Sequence, residues 1–434
     1  MEFPDVAEEA AVEAGMRRRK LAKHSSISSS PTLALRIACA IAVSAGLACP
    51  GAEDATPARL QVTVQHSQRR AIYHSPRTPG YTCWAGIWRM PDASLMVCFT
   101  QATGPLEGWR PRAPAAVLRR MPRATREIAG YDMTGLIQEN VYLRSTDDGK
   151  SWAKAASDPF SSCMNGMWGG GILALPDGTL LRDAWGQGLP FWNVRQTGFL
   201  QRSVDGAKTW DAPEYLSGDP RLQAWPKRIR RLRDGRLLIT GAVSPYEEDK
   251  WAWDAQLPEL RPCLWVSDGP DGKSWTGPLA IAPEGVPYAG EEWDAAELEN
   301  GDLLAVLRTA TYDAAGNTVS QERRQAILAK RGPTWEPGPI SAAPFPHSGQ
   351  PELLATREGI ILHVASSGIW WTADRGAAWT KLVMPGTAYY PCAVQLGGGE
   401  ILAVSHVGSD DPYGKVDQSI VLDVFKLSVT GKGR

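Results

Sequence analysis

The stretch Ser145–Trp152, STDDGKSW, places two adjacent carboxylates in a short polar turn that closes on a glycine and a tryptophan. A metal loop of the EF-hand kind is excluded, because the spacing lacks the third oxygen ligand and the terminal glutamate. Of the two readings left, half of an acid/base pair and a piece of scaffold, the physics favours the scaffold: a clasp. A short carboxylate at Asp147 accepts bonds from nearby backbone amides, Gly149 supplies a permissive dihedral, and Trp152 tucks its ring beneath the turn. The motif recurs as SVDGAKTW from Ser203, DGKSW from Asp271 and TADRGAAW from Thr372, with AKRGPTW from Ala329 as a worn copy.

A second repeat alternates with the first. Six segments carry an apolar run, a tight turn and a second apolar run: from Ile87, Ile172, Ile229, Ala295, Glu352 and Cys392. Their aligned turn positions are Ala93, Gly178, Gly235, Gly301, Gly359 and Gly399. Asp-Gly and Asn-Gly between apolar runs mark hairpins. Starting 40 to 85 residues apart, the hairpins are too widely spaced for a simple meander and suit four-stranded blades with loops of varied length. The alternating segments from Ala58 (ARLQVTVQH) and Ser419 (SIVLDVFKLSV) fit one blade closed by both ends of the chain.

With the turn motif Ser/Thr-x-Asp-x-Gly-x-Ser/Thr-Trp and six hairpins in hand, the chain resembles the sialidase superfamily, whose Asp boxes and six-bladed β-propeller they match. The resemblance covers residues 58–430 and implies an all-β propeller with the Asp boxes on blade edges away from the active face. It also implies where chemistry sits. In EEWDAAELENGDLLAVLRT, Glu292 stands five residues before Glu297 and Arg308 follows the hairpin, matching the family's base to a tyrosine nucleophile and a carboxylate-gripping arginine. Arg89, in Trp88-Arg89-Met90-Pro91, resembles a first-blade carboxylate ligand. Asp132, 13 residues before Ser145 in a long insertion, takes the place of the proton donor.

Two family features are missing. HVASSGIWWTAD, from His363, has no third arginine, and ILAVSHVG offers Ser405 and His406 where a tyrosine is expected. His406 lies seven residues after Gly399, as Arg308 lies seven after Gly301, so the two should reach equal depth. Tyr389, Tyr390 and Tyr413 are nearby substitutes. The expectation is an exo-glycosidase on an acidic, sialic-acid-type glycan, with Asp132, Glu292 and His406 catalytic and Arg89 and Arg308 binding substrate. Rival readings are a glycan-binding propeller without catalysis and a polysaccharide lyase or other glycosidase using His406.

Composition sets the remaining bounds. Of 434 residues, 18 are Trp against 7 Phe, an excess that suits both blade packing and sugar stacking. A net charge of -1 provides no basic field for nucleic acid or an anionic membrane. The basic cluster Met16–Lys20 and the apolar run Ile37–Ala48 read as an export signal within residues 1–52. That run is too short to span a bilayer. Gly46-Leu47-Ala48-Cys49 hints at lipoprotein processing at Cys49, with plain export preferred. Seven cysteines without regular spacing give no metal motif and permit one or two disulfides. No metal or cofactor is expected, and the chain reads as a monomer.

Overall fold

The computed structural model describes residues 60–75, 80–105, 136–158, 171–185, 197–219, 221–245, 260–282, 292–312, 318–407 and 419–431. The proposed export segment and Asp132 lie outside the described residues. The fold is a six-bladed β-propeller, as six small antiparallel sheets show. Strand β1 (Gln61–His74) is set aside for the last blade. Blade one comprises β2 (Gly80–Arg89), β3 (Leu95–Pro105), β4 (Leu136–Ser145) and β5 (Ala153–Asp158). Blade two comprises β6 (Ile172–Ala174), β7 (Leu180–Trp185), β8 (Gly198–Ser203) and β9 (Glu214–Tyr215). Blade three comprises β10 (Leu222–Arg231), β11 (Leu237–Pro245), β12 (Arg261–Ser267) and β13 (Trp275–Ala280). Blade four comprises β14 (Trp293–Glu297), β15 (Leu303–Tyr312), β16 (Thr318–Arg331) and β17 (Thr334–Pro337), with β18 (Ser341–Ala342) added to β16. Blade five comprises β19 (Glu352–Ala355), β20 (Ile361–Ala365), β21 (Gly368–Thr372) and β22 (Thr380–Lys381). Blade six is β23 (Tyr389–Gln395), β24 (Glu400–His406) and β25 (Ser419–Thr430), completed by β1, which pairs with β25 from Gln61↔Thr430 to His74↔Ser419. The pairing of the two chain ends that their alternation predicts is therefore present.

The hairpin grammar holds in all six blades. Ala93 and the five turn glycines have positive φ, from 67° to 90°. Each turn closes on a backbone bond such as Gly301 N–H to Leu298 O at 3.0 Å. The second strand of a hairpin is sandwiched between blades, and in blades three, four and six it is apolar on both faces: Leu237–Ile239, Leu303–Leu307 and Ile401–Val404 are fully buried, whereas β7 of blade two buries Arg182 and Asp183.

The Asp boxes lie at the hairpin end, because Ser145 pairs with Leu95 directly after the first turn. Asp147 accepts from Ser151 N and Ser145 Oγ at 2.9 and 2.8 Å, and these bonds with that of Ser151 Oγ hold its carboxyl well below the usual range. A Cβ on Gly149 would meet Leu402 of blade six at 2.8 Å, and one on Gly376 would meet Leu304 of blade four at 2.9 Å. These box glycines therefore serve as close-approach points between neighbouring blades. In SVDGAKTW the corresponding position is Ala207, also at positive φ (71°). The worn copy has become a tight β16–β17 turn that keeps its tryptophan, with Trp335 Nε1 donating to Gly301 O at 2.9 Å.

Buried ion pairs join the blades. Arg182 binds Asp158 at 2.9 Å and Tyr142 Oη at 2.7 Å, and its guanidinium lies 3.8 Å from the Trp210 ring centre. Around the axis, Arg228 and Arg230 on β10 meet Asp294 on β14 and Glu352 on β19. Asp294 also accepts from Leu353 N at 2.7 Å, and Glu352 from Ala393 N at 2.9 Å, so this cluster spans four inner strands. Cys83, Cys98, Cys263 and Cys392 are buried, and no disulfide joins any two of them among the described residues. Among those residues, no helix is long and apolar enough to cross a membrane.

Candidate functional site

At the end of the propeller opposite the hairpin turns, the first strand of each blade begins and the second ends. Glu292 sits there, immediately before β14, and Arg308 N–H continues the ladder to its carbonyl at 2.9 Å. The Glu292 carboxylate is buried and doubly held. Tyr390 Oη donates to Oε1 at 2.8 Å, and Arg308 Nη1 donates to Oε2 at 2.5 Å. The same Arg308 nitrogen donates to Tyr390 Oη at 2.8 Å. Burial disfavours the charged form of Glu292, but the charges of Arg308 and Lys227 and the bonds from Arg308 and Tyr390 outweigh it. The carboxyl is held below its usual range. The phenol thus has an ionised acceptor ahead of it and a guanidinium beside it, an arrangement that can take its proton as the oxygen attacks an electrophile.

Backbone irregularity puts Tyr390 in this place. Its inner strand shifts register between Tyr389 and Cys392, and Tyr390 has φ 51°. Blade one does the same between Cys83 and Gly86, where Trp84 has φ 54°. Bulges of this kind re-aim side chains, and positive φ at bulky residues stores strain that packing must hold. The Tyr390 ring stacks on His406 at 5.7 Å and 20°, and a Cβ on Gly349 would come within 2.9 Å of two of its ring carbons.

His406 reaches the depth that its spacing predicts, but the surroundings give it a different character. Its Nδ1 accepts from Trp84 N–H at 3.1 Å, so the ring proton is on Nε2, and burial pushes its pKa down to about 3. A histidine held neutral by burial and occupied at Nδ1 packs against the Tyr390 ring.

Arg89 does not join the group. It is exposed and pairs with Leu95 at the hairpin end, five residues along β2 from Trp84, or about 16 Å away at ~3.3 Å per residue. Met90-Pro91-Asp92 beside it belongs to the turn, with Asp92 bound to Ser94 and Arg144. A second arginine comes instead from the neighbouring strand. Arg323, paired with Arg308 across β15 and β16, is buried and donates through Nη2 to the carbonyls of Ser348 and Gly349. Burial and the adjacent Arg308 charge lower its pKa to about 9, leaving it charged at neutral pH. Its Nε and Nη1 have no hydrogen-bond partner among the described residues.

His347 completes the visible rim. Its Nε2 accepts from Arg308 Nε at 3.0 Å. Burial and the charges of Arg308 and Arg323 push its pKa down to about 4. Arg308 itself keeps 21% of its side chain exposed, so this corner is where the cluster meets solvent. Sequence reading finds Glu292 and Arg308 through their spacing but misses His347, Arg323 and Lys227. The available signal for two of the bulges is proline inside an inner strand, at Trp225-Pro226-Lys227 and Tyr390-Pro391-Cys392.

No family model matches the chain, and no curated protein matches it. Solved structures do. A protein of unknown function from Dyadobacter fermentans aligns at a TM-score of 0.57 and 18% identity, over 85% of this chain and 99% of that one. The GH93 α-L-arabinofuranosidase of Fusarium graminearum, in complex with arabinobiose, aligns at 0.54 and 13%, over 81% and 96%. The intramolecular trans-sialidase of Ruminococcus gnavus, in complex with oseltamivir carboxylate, aligns at 0.51 and 12%, over 82% and 96%. Likeness at these identities shows the fold.

Proposed function

We propose that this protein is an exo-glycosidase of the sialidase type that acts on an acidic glycan. The observation that carries the reading is the Tyr390–Glu292–Arg308 constellation at the mouth of the propeller. Tyr390 Oη attacks the anomeric carbon while Glu292 accepts its proton. Asp132, outside the described residues, gives a proton to the departing glycosidic oxygen. Water then displaces the tyrosine, and the two acids reverse their roles. A neutral phenol suits a sugar bearing a carboxylate near the anomeric carbon, since an anionic nucleophile would be repelled by that charge. Arg308 and Arg323 supply the cationic side of the site for that carboxylate. Arg89, at the far end of its blade, has no part in this reading, and His406 supports the tyrosine.

The structural neighbours that act on sialosides or arabinosides support a glycan as substrate, and the N-terminal basic cluster followed by an apolar run supports export. The test is a panel of fluorogenic glycosides that spans sialosides, uronides and neutral sugars. Release of an acidic sugar that disappears in both Tyr390→Phe and Glu292→Gln supports the proposal. Cleavage of neutral sugars alone, or glycan binding with no turnover, would overturn it in favour of the other readings.

A further inference from the structure

The segment that leads from β18 into β19 is pinned along its length. Ala343 N–H donates to Arg323 O at 2.9 Å. Phe345 is buried, with its ring centre 4.3, 5.2 and 4.9 Å from those of His363, Trp370 and Trp379. His347 accepts from Arg308 at 3.0 Å. Arg323 Nη2 then holds two consecutive carbonyls, those of Ser348 and Gly349, and Pro351 O accepts from Arg228 Nη2 at 3.2 Å. Bonds from a guanidinium are charge-assisted and about twice as strong as neutral ones, so the backbone at 348–349 is firmly fixed.

Gly349, buried in this segment, is where it meets the tyrosine. A Cβ there would lie 2.9 Å from both Cδ2 and Cε2 of Tyr390 and 3.1 Å from Cζ of Tyr389. Glycine is needed for space and not for its dihedral, since the φ of Gly349 is not positive. Nor can the tyrosine yield easily. Its ring stacks on His406 and meets the Tyr389 ring edge-on at 4.7 Å, and its own backbone is fixed at φ 51°. The ring is rigid, so pressure on its Cδ2–Cε2 edge carries Oη away from Glu292 and Arg308, each 2.8 Å distant.

We propose that Gly349 is a positioning residue for Tyr390: its bare backbone, held by Arg323, is the seat that aims the phenolic oxygen between Glu292 and the anomeric carbon. The role rests on the glycosidase reading; the contact does not. Arg323 thereby serves the site twice, as part of its cationic side and as the anchor of the wall behind the tyrosine. A nucleophile must be held in a near-attack geometry to react, and a fixed wall achieves this without touching the sugar.

The experiment follows the phenol directly by carbon NMR of protein carrying tyrosine labelled at Cζ, with the Tyr390 resonance identified by its loss in Tyr390→Phe. In Gly349→Ala that resonance should move, with that of Tyr389, while those of tyrosines away from the site stay in place. On an acidic glycoside kcat should fall about 10²-fold, the cost of roughly 1 Å of misplacement, with KM unchanged. Thermal melts confirm that the variant is folded. If it is not, Arg323→Met and Arg323→Lys decide the question, since a lysine can donate to both carbonyls and a methionine to neither. The Tyr390 resonance should then move in Arg323→Met and return toward its wild-type position in Arg323→Lys. A folded Gly349→Ala with an unmoved Tyr390 resonance and wild-type kcat overturns the proposal, as does an unmoved resonance in Arg323→Met. So does a rise in KM at unchanged kcat, which would make Gly349 a wall of the sugar pocket instead. If the wild type cleaves no glycoside, the glycosidase reading fails while the NMR result still decides this one.

Discussion

Glu292→Gln reads more of the site than any other single substitution. The carboxylate accepts at both oxygens, from Tyr390 Oη at 2.8 Å and Arg308 Nη1 at 2.5 Å. A glutamine offers one carbonyl oxygen, so whichever way its amide turns, one donor faces an N–H group. Loss of a positioned base costs roughly 10²–10⁴-fold in kcat/KM. At 1.36 kcal/mol per decade this is about 3–5 kcal/mol of transition-state stabilisation. Stability falls less. A hydrogen bond to a charged group contributes about 1.5–3 kcal/mol, and Arg308, 21% exposed, can recover part of its loss from water, so about 2 kcal/mol is expected at pH 7.

The sign with pH follows from the depressed carboxyl. Glu292 is held down by Arg308 and Lys227 despite its burial. Its stabilising contribution is therefore present above the unfolded pKa of about 4.3 and is lost as pH falls through the folded value. Wild type and variant should differ in denaturant midpoint at pH 7 and converge in acid. A variant that retains more than a tenth of wild-type kcat/KM, or a stability gap that is the same at both pH values, would refute the reasoning.

Three further outcomes follow from the scaffold. Gly149→Ala puts a Cβ 2.8 Å from the buried Leu402 side chain at φ 81°, so urea denaturation should show about 1–3 kcal/mol lost with kcat unchanged. A matching loss of activity would place the Asp box in the chemistry. Arg182→Met leaves Asp158 buried without its cation and should cost about 3–5 kcal/mol; adding Asp158→Leu should recover most of it, and a double variant as unstable as the single would contradict the ion-pair account. His363 and His406 are held by burial at about 3, against about 6.5 unfolded. The unfolded chain binds more protons in that window, so stability should fall by up to about 2.7 kcal/mol per pH unit from these two as pH drops from about 6.5 toward 3. A flat stability profile between pH 6 and 4 would show that they are not held neutral.

What is legible in the sequence is what local chemistry repeats. The turn residues Gly178 to Gly399, the Asp147 clasp and the two alternating end strands each declare a conformation within about ten residues, so blade number and closure follow. Glu292 and Arg308 are legible because one hairpin fixes their spacing. Arg89 misleads because Met90-Pro91-Asp92 is turn grammar, and a turn lies at the far end of a strand from the site. Tyr390 and Lys227 owe their positions to bulges, while Arg323 and His347 enter through a neighbouring strand and a loop before β19. None of the four shows a period. His406 lies at the depth that spacing predicts, yet its chemistry depends on a Trp84 amide more than 300 residues away in sequence. That contact is visible only in three dimensions.

The central claim is that Tyr390 forms the bond to substrate. Reaction with a fluorinated acidic glycosyl fluoride, which slows release of the enzyme-bound sugar, followed by peptide mass mapping tests it most directly. The account predicts one added glycosyl group on the peptide containing Tyr390, and none in Tyr390→Phe or when Glu292→Gln is incubated for the same time. Turnover of the same sugar with the adduct on another residue, or undiminished in Tyr390→Phe, would contradict it.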